Sequence, residues 1–240
     1  MSNLYRLVFD LSQQTADVVT LDREQQHYLK RVLRLQKGDR FIAMNGRGKA
    51  WLAELNLTDA RLIETISLTT ELALNLTLIT ALPKGNGYEQ ILKCGTELGV
   101  SRFIPVFSDR SLLKPSSNKV NRWRKLVTEA AEQAERAIVP QISDPLSFER
   151  ASVESIPPQS DRYICVARGD LPSLWSCLQT SQQREIVVAT GTEGGWTKTE
   201  IELARSQQFQ PVSLGKSILR AITAPIAAAT LVNAVVNERD

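Results

Sequence analysis

Two glycine-containing segments near the end of the chain carry residue types suited to binding a small molecule. One reads Gly-Thr-Glu-Gly-Gly from Gly191, and the other is Leu214-Gly215. Glycine lets backbone N–H and C=O groups approach a ligand where a side chain would block them. Neither segment has the spacing of a phosphate-binding loop. From the residues alone, plain turns and a ligand site explain the two segments about equally well.

Charged residues beside these segments could take part in chemistry. Glu193, in the first segment, is a candidate general base, although a carboxylate there could equally orient the loop, which we favour. Arg220 follows the second segment and could stabilise negative charge on a substrate or pair with a neighbouring acid. No residue identifies itself as the general base.

The elements that position these residues follow from hydrophobic patterning. Residues 186–189 form an apolar, β-branched run typical of a strand buried on both faces, and a helix is expected after Thr197. Residues 209–214 predict a second strand, followed by a long apolar helix that begins near Ser217. We expect the two strands to be neighbours in a parallel sheet, so that both glycine loops open at one edge.

Upstream, the chain predicts two domains, 1–70 and 71–240. Residues 72–82, a helix opened by Asn86 and the strand 100–107 form a βαβ unit, which implies a parallel sheet. Before them, short alternating strands and one helix capped by Asp22 predict a small, mostly β barrel. In that helix, the expected apolar stripe consists of Tyr28, Leu29, Val32, Leu33 and Leu35.

Composition indicates an ordinary globular protein without a signal peptide or transmembrane segment. The chain has 240 residues, a net charge of +3, one histidine and three cysteines. The cysteines lack C-x-x-C spacing, so we expect no metal site and a reducing, cytoplasmic compartment. Eight Lys/Arg oppose two acids between Arg23 and Lys49, and six oppose none between Arg110 and Lys125. These two basic segments modestly favour a nucleic-acid partner over solvated surfaces.

The glycine segments also resemble a family signature. The family pattern is Gly-Pro-Glu-Gly-Gly followed by Leu-Gly-x-x-Ile/Val-Leu-Arg-Thr-Glu-Thr-Ala, and the chain departs from it at Thr192, Ala221 and Ile222. Further matches are His27-Tyr-Leu-Lys-Arg-Val-Leu-Arg-Leu and Ala81-Leu-Pro-Lys-Gly. Across nearly its whole length the chain resembles the RsmE-type family of 16S ribosomal RNA uridine-N3 methyltransferases, which belong to the trefoil-knotted SPOUT superfamily.

The resemblance implies a fold, a reaction and a cofactor. The expected fold is α/β: a PUA-like β-barrel domain followed by a SPOUT domain with a parallel sheet and a C-terminal knot. The expected reaction is S-adenosyl-L-methionine-dependent methylation of uridine N3 in 16S ribosomal RNA, with Arg220 and Glu193 as candidate catalytic residues. The implied cofactor-binding residues are Thr190, Gly191, Glu193, Gly194, Gly195, Leu214, Gly215, Ile218, Leu219 and Arg220.

The resemblance and the basic segments together predict the partners. The expected RNA-binding residues are Arg6, His27, Arg31, Arg34, Lys84 and Arg110, with Lys114, Arg122 and Lys125 as a weaker outer group. For His27, a surface position at the start of a helix is the favoured explanation, and a stacking or hydrogen-bonding contact to RNA is the alternative. A homodimer through the apolar C-terminal helix, including Val232, is expected. The alternatives are an RNA-binding or ribosome-assembly protein that has lost catalysis and a knotted methyltransferase with another RNA target.

Overall fold

The computed structural model describes residues 4–112 and 114–239, which form two compact units. The first unit contains the chain up to Glu71 together with Thr128–Val139, and the second contains Leu72–Val127 and the chain from Pro140 onward. We expected two continuous domains, so the grouping of Thr128–Val139 with the N-terminal unit differs from that expectation. Patterning within each segment could not predict it, because the grouping depends on contacts distant in sequence.

The first unit is built on a six-stranded sheet. Its strands are β1 (Arg6–Val8), β2 (Gln14–Thr15), β3 (Val18–Thr20), β4 (Arg40–Met44), β5 (Ala50–Leu55) and β6 (Asp59–Ile66). They lie in the order β1-β4-β5-β6-β3-β2, with β1 parallel to β4 and the other neighbours antiparallel. Buried apolar side chains such as Phe9, Leu29 and Phe41 form its core. The mostly antiparallel arrangement agrees with the small β unit predicted from the sequence.

The helical segment of the first unit differs from the prediction in its second half. A 3-10 turn spans Leu11–Gln13, helix α1 spans Arg23–His27, and a π-helical turn follows at Tyr28–Val32. A π turn takes an extra residue, which shifts side chains within it from the expected α-helical stripe, whereas Leu33 and Leu35 after it still pack against the core. Val32 is consequently 58% exposed. Its predicted place in the apolar stripe was wrong, whereas Leu29 is fully buried.

The second unit contains a seven-stranded, wholly parallel sheet. Its strands are β7 (Asn75–Ala81), β8 (Val100–Phe107), β9 (Gln141–Ile142), β10 (Leu146–Ser147), β11 (Asp161–Cys165), β12 (Glu185–Thr190) and β13 (Gln210–Val212). Its helices are α2 (Gly87–Glu97), α3 (Ser117–Gln133), α4 (Phe148–Glu154), α5 (Leu174–Thr180), α6 (Lys198–Ser206) and α7 (Thr223–Asn237). The last turns of α3 belong to the first unit. The predicted parallel sheet is therefore present.

The order of the strands corrects one expectation about the site. The order is β10-β8-β7-β12-β11-β13, with β9 pairing with β8. Because β11 lies between β12 and β13, the two glycine loops do not follow neighbouring strands, as we had expected. Sequence patterning predicts the strands themselves but not their order when the connections are long crossovers.

Helix α7 begins later than the predicted start near Ser217. Thr223 is its first residue, and Pro225 lies in its first turn. Proline is tolerated there because the first N–H groups of a helix have no intrahelical partner. A helix starting at Ser217 would place Pro225 in its interior, where the ring clashes with the preceding turn. Among the described residues, no helix is long and apolar enough to cross a bilayer.

Candidate functional site

The segment after β12 is a tight loop whose backbone requires glycine. The N–H of Gly195 donates to the carbonyl oxygen of Thr192 at 2.8 Å. Gly195 has a φ of 67°, in the left-handed region that side chains rarely adopt. A Cβ on Gly191 would lie 3.2 Å from the backbone of Gly195. These two glycines therefore allow the loop to close on itself at the carboxyl end of β12.

Two further loops hold this glycine loop in place. Oε1 of Glu193 accepts a hydrogen bond from the backbone N–H of Lys84, after β7, at 3.1 Å. The guanidinium of Arg110, after β8, donates from Nη1 to the carbonyl oxygen of Gly194. A Cβ on Gly194 would lie 2.9 Å from Cδ of Arg110. Three loops thus meet at the carboxyl edge of the sheet, where open α/β sheets bind ligands.

A buried carboxylate links two of these loops. Glu200, in α6, is 6% exposed. Its Oε1 accepts from the backbone N–H of Asp109 at 3.0 Å, and its Oε2 accepts from the N–H of Thr197 at 2.8 Å. The Thr197 hydroxyl donates to Oδ2 of Asp109 at 2.8 Å. The residue immediately before Arg110 is therefore joined to the N-terminus of α6.

The second glycine loop, after β13, leads into a non-helical segment. Gly215 has a φ of 130°, and the hydroxyl of Ser213 bonds to both its N–H, at 3.1 Å, and its carbonyl oxygen, at 3.0 Å. Beyond it, Ile218 is 61% exposed and Arg220 is exposed. Leu214 and Leu219, also expected at the cofactor, are half-buried. Because Ile218 and Arg220 are exposed, a ligand can reach this segment.

Buried hydroxyl groups at the ends of β7 and β12 indicate what kind of ligand the site can bind. Thr190 is fully buried and Thr192 is 7% exposed, and the Oγ1 atom of each lacks a hydrogen-bond partner among the described residues. Thr80, which is the Cα partner of Thr190 across the two strands, also has an unpartnered Oγ1. Buried polar atoms are rarely left unsatisfied in a purely structural setting. The site therefore fits a ligand that carries several polar groups.

The RNA-binding candidates of the first unit lie around the π turn. His27 ends α1, and Arg31 lies within the turn at Tyr28–Val32; both are exposed. Arg34 follows the turn, is exposed and has a φ of 61°. A left-handed conformation is unfavourable for arginine, because its Cβ crowds the following carbonyl. The three candidates thus lie in one short, irregular helical segment.

Arg6 has a partner within the first unit. Its Nη2 lies 2.5 Å from Oε2 of Glu135, and its side chain is 12% exposed. Its Nη1 donates to the carbonyl oxygen of Leu4 at 3.1 Å. The expected RNA contact of Arg6 stays a prediction, and it requires this ion pair to open.

The RNA-binding candidates of the second unit are exposed but differ in their partners. They are Lys84, Arg110, Lys114, Arg122 and Lys125. Nη2 of Arg122 lies 3.0 Å from Oε2 of Glu89, so its charge is balanced by a neighbour. Arg110 is held by Gly194. The glycine loop therefore lies beside exposed cationic groups.

Comparison with known proteins identifies the family. Residues 70–233 match an RNA methyltransferase domain, and residues 21–64 match an RNA methyltransferase PUA domain. A Synechocystis protein named ribosomal RNA small subunit methyltransferase E is 49% identical over 96% of this chain and 78% of its own length. The chain belongs to this methyltransferase E family. The member from Bacillus subtilis is 30% identical over 91% of this chain and 90% of its own length.

A solved structure of the methyltransferase E family has the same fold. The enzyme from Neisseria gonorrhoeae, bound to S-adenosyl methionine, matches with a TM-score of 0.85 and 28% identity over 95% of each chain. The expected fold class, a PUA-like domain followed by a SPOUT-type parallel sheet, is confirmed. The knot stays a prediction, because strand order does not define which loop a segment passes through.

The departures from the methyltransferase E signature have apolar surroundings in this chain. A Cβ on Gly87 would lie 2.6 Å from Cδ1 of Ile222, so Ile222 packs against the start of α2. Ala221 is 4% exposed. Side-chain packing therefore replaces whatever polar contact the family glutamate makes at position 222.

Sequence reasoning missed several residues near the site. The Thr197–Glu200 spacing predicted a helix start, but nothing in the sequence indicated the link from Glu200 to Asp109. The unpartnered hydroxyls of Thr80 and Thr190 were equally hidden, because threonine is an ordinary strand residue. The role of these residues becomes visible only when the structure shows which distant segments of the chain lie side by side.

Proposed function

We propose that this chain is an S-adenosyl-L-methionine-dependent methyltransferase that methylates N3 of a uridine in 16S ribosomal RNA. The observation that carries the proposal is the family match over both domains, joined to a cluster of loops at the carboxyl edge of the parallel sheet. The substrate is the ribosomal RNA or the assembled small subunit. The free cysteines of the described chain agree with a cytoplasmic location.

The residues that would hold the cofactor are those of the two glycine loops. Backbone groups of the loop from Gly191 to Gly195 and of the Leu214-Gly215 segment would contact adenosine, as would the hydroxyls of Thr190 and Thr192. Ile218 and Leu219 would supply apolar contacts beside them. When bound, S-adenosyl-L-methionine supplies an electrophilic methyl group on a cationic sulfonium. The task of the protein is to align this methyl group with the acceptor nitrogen.

The charged residues of the site then have separate tasks. Uridine N3 must lose its proton, and negative charge develops on the uracil carbonyl oxygens. Arg220, exposed before α7, is placed on a segment accessible to the substrate and would stabilise that charge. Glu193 accepts a bond from the N–H of Lys84 through Oε1, so we assign it the orientation of the loop rather than proton transfer.

The proposed RNA contacts are exposed basic residues, assigned separately in each unit. We assign phosphate contacts to Arg31, Arg34, Lys84 and Arg110, with His27 as a stacking or hydrogen-bonding contact and Lys114, Arg122 and Lys125 as an outer group. Guanidinium groups bind phosphate oxygens through paired N–H donors. Arg122 contributes least, because Glu89 already neutralises it.

We further propose that the protein is a homodimer through α7. Within one chain, α7 buries Ala228, Val232 and Val235. Ala227 and Leu231, at helical spacing on another face, are half-buried. An apolar face that the chain covers only in part fits contact with a second copy.

Calorimetry and mass spectrometry test the proposal together. The purified chain should bind S-adenosyl-L-methionine, and 16S ribosomal RNA from cells that lack the protein should lose one N3-methyluridine. No cofactor binding would favour an RNA-binding or assembly role, an alternative motivated by Ala221 and Ile222. Cofactor binding with unchanged 16S ribosomal RNA would indicate another RNA target.

A further inference from the structure

Glu200 makes one contact that its role as a helix cap does not need. In a capping box, the N-cap hydroxyl bonds the backbone N–H of the third helical residue, whose side chain bonds back to the N-cap N–H. Thr197 and Glu200 make both bonds, at 3.2 Å and 2.8 Å. The remaining carboxylate oxygen, Oε1, reaches outside the helix to the N–H of Asp109 at 3.0 Å. This outer bond joins α6 to the loop after β8.

Asp109 closes a ring of hydrogen bonds with the same cap. Its Oδ2 accepts from the Thr197 hydroxyl at 2.8 Å, while its N–H is held by Glu200. Asp109 is exposed, whereas Glu200 is 6% exposed. Hydrogen bonds that anchor an exposed loop to a buried charged group are stronger than bonds in water. The backbone immediately before Arg110 is therefore fixed from two sides.

Arg110 contacts the glycine loop directly. Its Nη1 donates to the carbonyl oxygen of Gly194, and its Cδ would lie 2.9 Å from a Cβ added to that glycine. A guanidinium carries five N–H donors, so a bond to one carbonyl leaves donors for a phosphate. One exposed side chain thus touches the cofactor loop and presents a cation to solvent.

We propose that Glu200 is a positioning residue for RNA binding, acting through Asp109 on Arg110. This inference rests on the proposed function, in which Arg110 contacts RNA and the loop at Gly194 contacts the cofactor. The ring from Glu200 to Asp109 holds Arg110 in the orientation that binds a phosphate of the substrate RNA.

The test is steady-state kinetics of Glu200→Gln on 16S-containing substrate. A glutamine keeps the size of the side chain but replaces one carboxylate oxygen with an NH2 donor. The N–H groups of Thr197 and Asp109 bond to different oxygens of Glu200, so one of them loses its acceptor. We expect KM for RNA to rise about fivefold to tenfold, as for the net loss of one hydrogen bond, while kcat changes less than about twofold. The Kd for S-adenosyl-L-methionine without RNA should also stay within about twofold, since the glycine loop keeps its own internal bond.

Matched variants separate positioning from capping. Ser173→Ala removes the cap of α5, where Ser173 Oγ accepts from the N–H of Ser176 at 3.1 Å, and should lower Tm without changing KM. Thr197→Val removes the hydroxyl contact to Asp109 and should raise KM, whereas Thr197→Ser should restore it. Arg110→Ala should raise KM as Glu200→Gln does, and the double variant should be no worse than the single ones within about twofold.

The outcomes decide between the two roles. Unchanged KM in Glu200→Gln with a lower Tm, as in Ser173→Ala, would overturn the inference, and so would additive effects of Glu200→Gln and Arg110→Ala. If Glu200→Gln does not fold, the KM values of Thr197→Val and Thr197→Ser are compared instead. A higher KM in Thr197→Val than in Thr197→Ser supports positioning, and equal values overturn it. Failure of the wild-type chain to bind cofactor or methylate RNA would instead refute the proposed function.

Discussion

The backbone N–H of Val8 donates a 2.6 Å hydrogen bond to Oε1 of Glu132, at the C-terminal end of α3. Burial of this carboxyl, with a smaller contribution from the nearby charge of Glu129, raises the pKa of Glu132 to about 7. The bond from Val8 opposes the increase. The first unit therefore contains a carboxyl that titrates near neutral pH.

We expect this carboxyl to make stability depend on pH. The folded chain retains the proton of Glu132 between the ordinary pKa of 4.5 and about 7. The stabilising contribution is therefore complete below pH 4.5 and is lost as pH rises through about 7, with a slope of at most about 1.4 kcal/mol per pH unit. Glu132→Gln should remove this slope in urea unfolding, whereas exposed Glu64→Gln should keep it. A slope that persists in Glu132→Gln would assign the titration to another group.

Arg34 should contribute to RNA binding at a cost in stability. It occupies the left-handed position after the π turn, where the N–H of Leu35 bonds the carbonyl oxygen of Leu29 at 2.9 Å, and this position usually carries glycine. Arg34→Gly should therefore leave stability unchanged or raise it by about 1 kcal/mol. The same change should weaken RNA binding and reduce its salt slope by about one unit. Arg61→Ala, which removes a charge from β6, is the control for both measurements; an unchanged slope in Arg34→Gly would exclude Arg34 from the RNA surface.

Gly191→Ala should damage the cofactor site more than the fold. Its Cβ would lie 3.2 Å from the backbone of Gly195, so the loop must shift by a few tenths of an ångström. A steric shift of this kind costs about 1–3 kcal/mol, and the same cost in the cofactor-bound state corresponds to a loss of affinity of about fivefold to 150-fold. Gly38→Ala is the control for a strained glycine outside the loop, because its φ is 93° and no atom of the described residues lies within 4 Å of the added Cβ. Calorimetry with equal affinities in both variants would contradict the placement of adenosine against this loop.

The proposed dimer predicts different results at neighbouring positions of α7. Val232 is fully buried within its own chain, so a charge there should unfold the protein; our initial expectation that it contributes to the interface was wrong. Leu231 is half-buried, and Leu231→Glu should release monomers of 26.7 kDa in sedimentation equilibrium. Exposed Thr180→Glu in α5 is the control. A wild-type chain that sediments as a monomer at micromolar concentration would rule out the dimer.

Much of the fold was predictable because its strands and caps are encoded locally. The apolar run at β12 and the capping residues Asp22 and Thr197 define their elements by composition and spacing. Interactions between distant segments were not predictable. The insertion of β11 between β12 and β13 and the bond from Glu200 to Asp109 both depend on how crossovers return to the sheet. At the site, the family signature located the glycine loops, but residue types alone did not reveal the hydroxyl groups beside them.

The return of Thr128–Val139 to the first unit affects the order in which the chain can fold during synthesis. Arg136 pairs with Glu71 at 2.7 Å, and the N–H of Val139 bonds the carbonyl oxygen of Gly46 at 3.0 Å. A ribosome completes the β-rich segment long before it reaches Val139, so these partners are not yet available when that segment emerges. N-terminal domains usually fold first during translation. Here the N-terminal unit is completed only after β7 and β8 of the second unit have been synthesised, so the two units mature together rather than one after the other.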